Sequence, residues 1–243
     1  MAIVVAYDGK GFHGCAASPG VRTVESVLTA ALERVLRHKI ELQIAGRTDR
    51  GVHASHQVMS FQTSAPTFDP RRLRGALNKL CRPDIAVSSV EVTADGFDAR
   101  FSAVSRTYRY RVLAAEVPDP LRIDRVWYVE RDVDIAAMNV AADHVVGLHD
   151  FRAFCRRQPD ATGDEPLLRR VFSCLWFRSD DEHVMEVTAN AYCHQLVRSL
   201  VGAMVASGLG KFEPSHMLVL LESTDRTIMP APPQGLTLIG VSY

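Results

Sequence analysis

The chain has 243 residues, 47% of them hydrophobic and 23% charged, which is ordinary globular composition and enough for one large domain or two smaller ones. Disordered, collagen-like and coiled-coil classes are excluded. The 28 basic and 28 acidic residues cancel, so contact with a polyanion must come from local patches; 24 of the basic residues are arginine, the better planar ligand for phosphate.

The N-terminal run Ile3-Val4-Val5-Ala6 stops at Asp8 with no basic stretch before it, and reads as a first strand rather than a signal peptide. Apolar positions at Val24, Val27, Leu28, Ala31, Leu32, Val35 and Leu36, with Thr23 as N-cap, predict an amphipathic helix over 24–36. A short strand over 41–45, a turn-rich segment over 46–55 and a strand over 57–63 follow. Asp69-Pro70 then opens a helix with Leu73, Ala76, Leu77 and Leu80 turned inward.

Strands are predicted over 85–92 and 105–113; in the second, Tyr108, Tyr110 and Val112 alternate with Arg109 and Arg111, giving one aromatic and one basic face. After Pro118-Asp119-Pro120 the pattern restarts with a strand over 126–129, a helix over 134–146, strands over 171–177 and 184–191, and a long helix ending near Gly208. The polar stretch 156–166 is the expected mobile loop. These elements predict an α+β protein of two related subdomains, 1–104 and 105–243, sharing one extended sheet.

The five cysteines are odd in number, far apart and without a C-x-x-C pair, so neither a disulfide framework nor a structural zinc site is expected, and a reducing cytoplasm is the expected home. No apolar run reaches the roughly 18 residues of a membrane span, which predicts a soluble protein.

Chemistry concentrates in Gly46-Arg47-Thr48-Asp49-Arg50-Gly51-Val52-His53-Ala54. Here a lone carboxylate stands between two arginines on a glycine-bracketed turn joining two strands. Flanking guanidinium groups favour an ionised Asp49, suited to a nucleophile or general base. The alternative is an Asx-type turn with a purely structural Asp49. A metal site from Asp49, His53 and His56 is a weaker reading, and a serine hydrolase weaker still, for lack of a G-x-S-x-G elbow.

The same nine residues resemble the hallmark of the tRNA pseudouridine synthase A family, with Asp49 in the place of the catalytic aspartate. The similarity recurs in order at Tyr7 to Gly14, Arg22 to Glu25, Ser105 to Tyr110, His149 to Phe151, His194 to Arg198 and Gly235-Leu236. It departs from the family at Gly14 to Ser18, Arg50 and Gln195, positions expected to meet RNA. The resemblance implies a pseudouridine synthase fold whose extended sheet is mostly antiparallel with flanking helices. It also implies isomerisation of uridine in the anticodon stem-loop of tRNA, positions 38 to 40, with the target base flipped out and without metal or cofactor. Residues 1–104 would carry the aspartate turn and 105–243 would complete the cleft. Asp49 would be nucleophile or base, Arg47 would fill the space of the flipped base, and Tyr108 would stack on that base and handle a proton. Arg198 would pair with the catalytic carboxylate and Leu236 would line the uracil pocket. On a helical wheel Arg198 falls at the edge of the apolar stripe Leu196, Val197, Leu200, Val201 and Met204, where a partly buried guanidinium needs an anion or a route to solvent. The family acts on tRNA as homodimers in the cytoplasm. The rival reading is an RNA-binding relative without catalysis, or a synthase acting at another RNA site.

Overall fold

A computed structural model describes residues 1–64, 69–157 and 165–243. The chain divides into two units: Met1–Arg106 with Thr237–Tyr243, and Thr107–Leu236. The last strand therefore returns to the first unit.

In the first unit β1 (Ala2–Tyr7) lies between β4 (Ile85–Glu91) and β3 (His53–Ser60), antiparallel to both. The short β2 (Gln43–Ile44) pairs with β3, and β10 (Leu236–Ser242) runs parallel to β3, with Thr237 opposite His53. Two helices cover the sheet. Helix α1 (Val24–Leu36) starts where expected, with Thr23 Oγ1 accepting from the Ser26 N–H and Ser26 Oγ accepting in return. Helix α2 (Pro70–Cys81) is capped by Asp69, which accepts from the Arg71 N–H. The buried residues include Ile3, Val5, Leu28, Leu32, Met59, Leu73 and Leu77. Leu80, expected inward, is 38% exposed; the i, i+4, i+8 line from Leu73 through Leu77 ends on Cys81, which takes the core position.

In the second unit the strand order is β5 (Ser105–Ala114), β9 (Glu182–Ala189), β8 (Leu168–Ser179) and β7 (Gly147–Asp150), with β6 (Trp127–Val129) parallel to β5. The β7/β8 and β8/β9 ladders are antiparallel. Helices α3 (Ile135–Asp143) and α4 (Leu196–Gly208) pack together around Met138, Trp176 and Met204, and the short α5 (His216–Glu222) follows. The strand β3 begins four residues earlier than the sequence pattern implies because the distant residues Thr237 and Leu238 pair with its first turn outward from the loop. The expected mobile loop falls largely on 158–164, outside the described residues.

One device occurs in each unit. The Asn78 side chain on α2 accepts from the Val87 N–H and donates to the Val87 carbonyl, both at 2.8 Å. Asn139 on α3 does the same to Trp176, at 2.9 Å each way. Each helix is thus stitched to the backbone of a strand through a single amide.

The expectation that cysteines would not form disulfides is corrected for one pair: Cys155 and Cys193 are joined. Their Cα atoms lie 5.8 Å apart, within the range a disulfide requires. They come from segments 38 residues apart, so the pairing is set by folding and not by local spacing. Cys15, Cys81 and Cys174 are free and buried, and burial pushes the Cys15 and Cys174 thiols up to about 12.

Candidate active site

The Asp49 turn lies between β2 and β3 in the first unit. Its end is closed by the Val52 N–H donating to the Asp49 carbonyl at 3.1 Å, with Gly51 at φ +81°, a conformation glycine adopts without strain. Asp49 is half-buried, while Arg47 and Arg50 are exposed on either side and Thr48 is buried between them.

The turn is held from beneath by the segment 7–15. Tyr7 Oη lies 2.8 Å from Thr48 Oγ1, and the Cys15 N–H donates to the Thr48 carbonyl at 3.0 Å. Gln57, fully buried one strand away, grips Gly46 at both ends: its Nε2 donates to the Gly46 carbonyl at 2.5 Å and its Oε1 accepts from the Gly46 N–H at 3.2 Å. The same amide reaches Tyr7 Oη at 3.4 Å and Cys15 Sγ at 3.8 Å. The Tyr7 hydroxyl is held well above its ordinary value of 10.0, first by burial and then by Cys15, against the bonds from Thr48 and Gln57. It is therefore a neutral hydrogen-bonding strut.

Two glycines make the approach feasible. A Cβ on Gly9 would lie 2.1 Å from the Val52 carbonyl oxygen, so backbone meets backbone there. At Gly14, whose φ is +102°, an added Cβ would lie 3.2 Å from the Thr48 carbonyl oxygen. The two motifs Tyr7 to Gly14 and Gly46 to Ala54 are thus the two halves of one packed unit.

His53 turns inward: it is buried, and its Nδ1 accepts from the Gly9 N–H at 3.1 Å. His56, three residues along the same strand, is exposed. Odd spacing on a strand puts the two imidazoles on opposite faces, so the expected rival of Asp49, His53 and His56 around one metal has no common centre. Among the described residues no group of three or more His, Cys, Asp or Glu is arranged to hold a metal.

In the second unit Tyr108 is 5% exposed on β5 and meets Tyr192 edge to face, ring centroids 5.0 Å apart at 85°. The Tyr192 hydroxyl donates to the Val187 carbonyl at 3.0 Å. Arg198, in the first turn of α4, is half-buried and clamped to the segment before β10: its Nε donates to the Ala231 carbonyl at 2.7 Å while the Ala231 N–H donates to the Arg198 carbonyl at 2.9 Å. Gly202, one helical turn on, permits this contact, since a Cβ there would lie 2.3 Å from the Met229 carbonyl oxygen. Leu236 is 5% exposed; the preceding Gly235 passes over the Tyr110 ring, where a Cβ would come within 2.7 Å.

A family model described as tRNA pseudouridine synthase matches residues 3–102 and 141–243. The chain belongs to that family. The tRNA pseudouridine synthase A of Corynebacterium glutamicum is 40% identical over 254 residues, covering 98% of this chain and 87% of that protein. That of Bifidobacterium animalis subsp. lactis is 36% identical over 283 residues, 100% and 93% of the two chains. That of Bacillus subtilis is 35% identical over 243 residues, 98% and 97%.

Within this tRNA pseudouridine synthase family member, Asp49 and Arg47 share the cradled turn of the first unit, and Tyr108, Arg198 and Leu236 belong to the second. Sequence reading missed the cradle itself. Tyr7 and Gly9 lie in the motif Tyr7 to Gly14 with no role read for them, and Gln57 is one of several polar residues in the predicted strand over 57–63. No signal in the sequence marks Gln57, whose burial, and with it the demand of its amide for partners, is a product of the fold.

Proposed function

We propose that this protein isomerises uridine to pseudouridine in the anticodon stem-loop of tRNA, positions 38 to 40, with Asp49 as the essential carboxylate. In this reaction the N1–C1′ bond breaks, the uracil turns, and a C5–C1′ bond forms. The C5 proton is lost to solvent and N1 regains one. Atoms and electrons balance within the nucleotide, so the chemistry needs neither cofactor nor metal.

The observation that carries the reading is the turn itself: a half-buried carboxylate between two exposed arginines, fixed from below by buried hydrogen bonds to Thr48 and Gly46. Such fixing matters because a misplacement of about 1 Å at a reacting group can cost about a hundredfold in rate. In this reading Arg47 fills the space of the flipped base, Tyr108 is the platform on which the base stacks and a proton carrier, Arg198 balances the carboxylate, and Leu236 lines the uracil pocket. Residues 1–104 bring the aspartate and 105–243 bring the tyrosine, the second arginine and the leucine.

The protein works in the cytoplasm as a homodimer in the same reading. Leu148, Leu168 and Leu175, each more than half exposed, support the second part, because their registers on β7 and β8 turn them away from the buried Val171, Cys174 and Trp176. No helix among the described residues is long and apolar enough to cross a membrane.

The test is tritium release from C5-labelled uridine in unmodified tRNA transcripts, followed by mapping of pseudouridine in the product. Wild type should release tritium at the anticodon stem-loop and Asp49→Asn should not, while still binding tRNA. Comparable release by Asp49→Asn would refute the role of Asp49, and release mapped elsewhere would refute the substrate site.

A further inference from the structure

Helix α2 has one buried side and one basic side. Leu73, Leu77 and Cys81 are buried, and Arg71, Arg72, Arg74, Lys79 and Arg82 are all exposed. At about 100° per residue Arg71, Arg74, Gly75 and Asn78 fall on one face, with Arg72 and Lys79 along its border. No acid stands between Asp69 and Asp84 in the sequence. Both of those are engaged: Asp69 caps the helix and lies 3.9 Å from Arg72 Nε, and Asp84 accepts from Arg22 Nη2 at 2.8 Å.

A cationic helix face is by itself ordinary solvated surface. Two further features of α2 are not ordinary. Pro70 takes the first helical position, so Arg71, Arg72 and Arg74 crowd the end where aligned peptide dipoles already place positive charge, and no acid accompanies them in the first turn. The second feature is Gly75, in the middle of the helix. Other glycines of the chain have a packing or conformational reason: a Cβ on Gly9, Gly202 or Gly235 would overlap its neighbours, and Gly20, Gly96 and Gly210 have φ of +75°, +78° and +69°. Gly75 has neither reason, because it is helical and a Cβ there would meet nothing within 4 Å.

Both features weaken the helix taken alone, since glycine and N-terminal cations each oppose helix formation. An anionic backbone lying along this face answers both. It offsets the cations and the dipole, and the missing side chain lets it approach closely. Arg74 is also held in place: its Nη1 donates to the Ser88 carbonyl at 3.3 Å, and its own carbonyl accepts from Asn78 Nδ2 at 3.1 Å.

We infer that the exposed face of α2, with Arg71, Arg74 and Lys79 around Gly75, is a docking surface for the phosphodiester backbone of RNA. The inference rests on the proposed tRNA substrate and adds to it a contact outside the Asp49 turn. Guanidinium groups match phosphate oxygens in two-pronged fashion, and contacts of this kind set register without reading sequence.

The experiment measures tRNA affinity across a range of potassium chloride concentrations, in an Asp49→Asn background so that substrate is not consumed. Adding Arg71→Gln together with Arg74→Gln should weaken binding about tenfold at low salt and reduce the slope of log affinity against log salt by about two. Lysine at both positions should keep the slope, since the charge remains. Gly75→Ala should raise Tm by about 2–4 °C and yet weaken tRNA binding at least about fivefold, because a methyl group then stands where the RNA would pack. In the catalytically intact protein the paired glutamine substitutions should raise KM and leave kcat unchanged. An unchanged slope in the paired glutamine variant, or a Gly75→Ala protein with unchanged affinity or a lowered Tm, would overturn the proposal. Vesicles of phosphatidylglycerol present the same phosphodiester chemistry on a lipid surface. Vesicle binding that the paired glutamine substitutions abolish while the tRNA slope stays would overturn the RNA assignment in favour of lipid. Failure of the wild type to bind or isomerise tRNA would refute the proposed function, whereas turnover with an unaltered salt slope would refute this surface alone.

Discussion

Replacing Gln57 by leucine tests whether the cradle, and not the turn sequence alone, positions Asp49. The substitution keeps the approximate volume and removes both hydrogen bonds to Gly46, of 2.5 and 3.2 Å. A buried polar group left without a partner costs about 1–3 kcal/mol. Gly46 is only half-buried, so water can partly replace the lost amide, and the two groups together should cost about 2–3 kcal/mol. For a chain of this length that corresponds to a fall of roughly 5–10 °C in Tm. Tyr7 and Thr48 keep their mutual bond, so the fold should persist. With Gly46 released, three residues before Asp49, kcat in the tritium-release assay should fall about a hundredfold while KM for tRNA changes little. Gln57→Glu should fare no better, because it turns a donor facing the Gly46 carbonyl into an acceptor. Thermal unfolding followed by circular dichroism gives the first number and initial rates over a tRNA series give the others. A Tm within about 2 °C of wild type together with wild-type kcat would refute the reasoning.

Burial, aided by Arg178 and opposed by Asp132, holds the 2% exposed His183 imidazole below its ordinary 6.5, so the native state binds fewer protons than the unfolded one. Its stability contribution is full above pH 6.5 and is lost as pH falls below that value; urea unfolding between pH 7 and 5 should show the loss, and His183→Asn should flatten it. Gly235→Ala drives a Cβ to 2.7 Å from the Tyr110 ring and 2.9 Å from the Arg111 carbonyl oxygen, which should cost about 1–3 kcal/mol of stability, read as a lowered Tm; an unchanged Tm would mean the segment before Leu236 yields. Thiol titration of the unfolded, unreduced protein should find the three free cysteines, and five after reduction; five at the outset would exclude the Cys155–Cys193 bond in solution.

Much of the fold is legible where local rules decide it. Thr23 and the apolar spacing behind it place α1 to the residue, and Asp69-Pro70 places the start of α2. The rules fail where partners come from afar. His53 to His56 look like loop until Thr237 and Leu238 lie alongside, and Leu80 looks like core until Cys81 completes the buried line. The same division holds for the candidate site. Asp49 is conspicuous because its neighbours in sequence are its neighbours in space. Tyr7, Cys15 and Gln57 converge on the turn from two other segments, and Arg156 and Arg226 are tied to the neighbouring residues His194 and Gln195 from segments on either side of α4. Neither convergence leaves a trace in spacing. The Cys155–Cys193 pair was likewise invisible, since an odd set of scattered cysteines argues locally against any bond.

The paired amides of Asn78 and Asn139 have a consequence for how this protein behaves when crowded. A strand that shows an unused N–H and C=O is a template on which a strand of another molecule can crystallise into a shared ladder. At Val87 and Trp176 that template is already occupied by a side chain of the covering helix, which imitates the missing neighbour. A helix can therefore do for a sheet what a further strand would do, at the expense of one residue, and can close the docking place without extending the sheet.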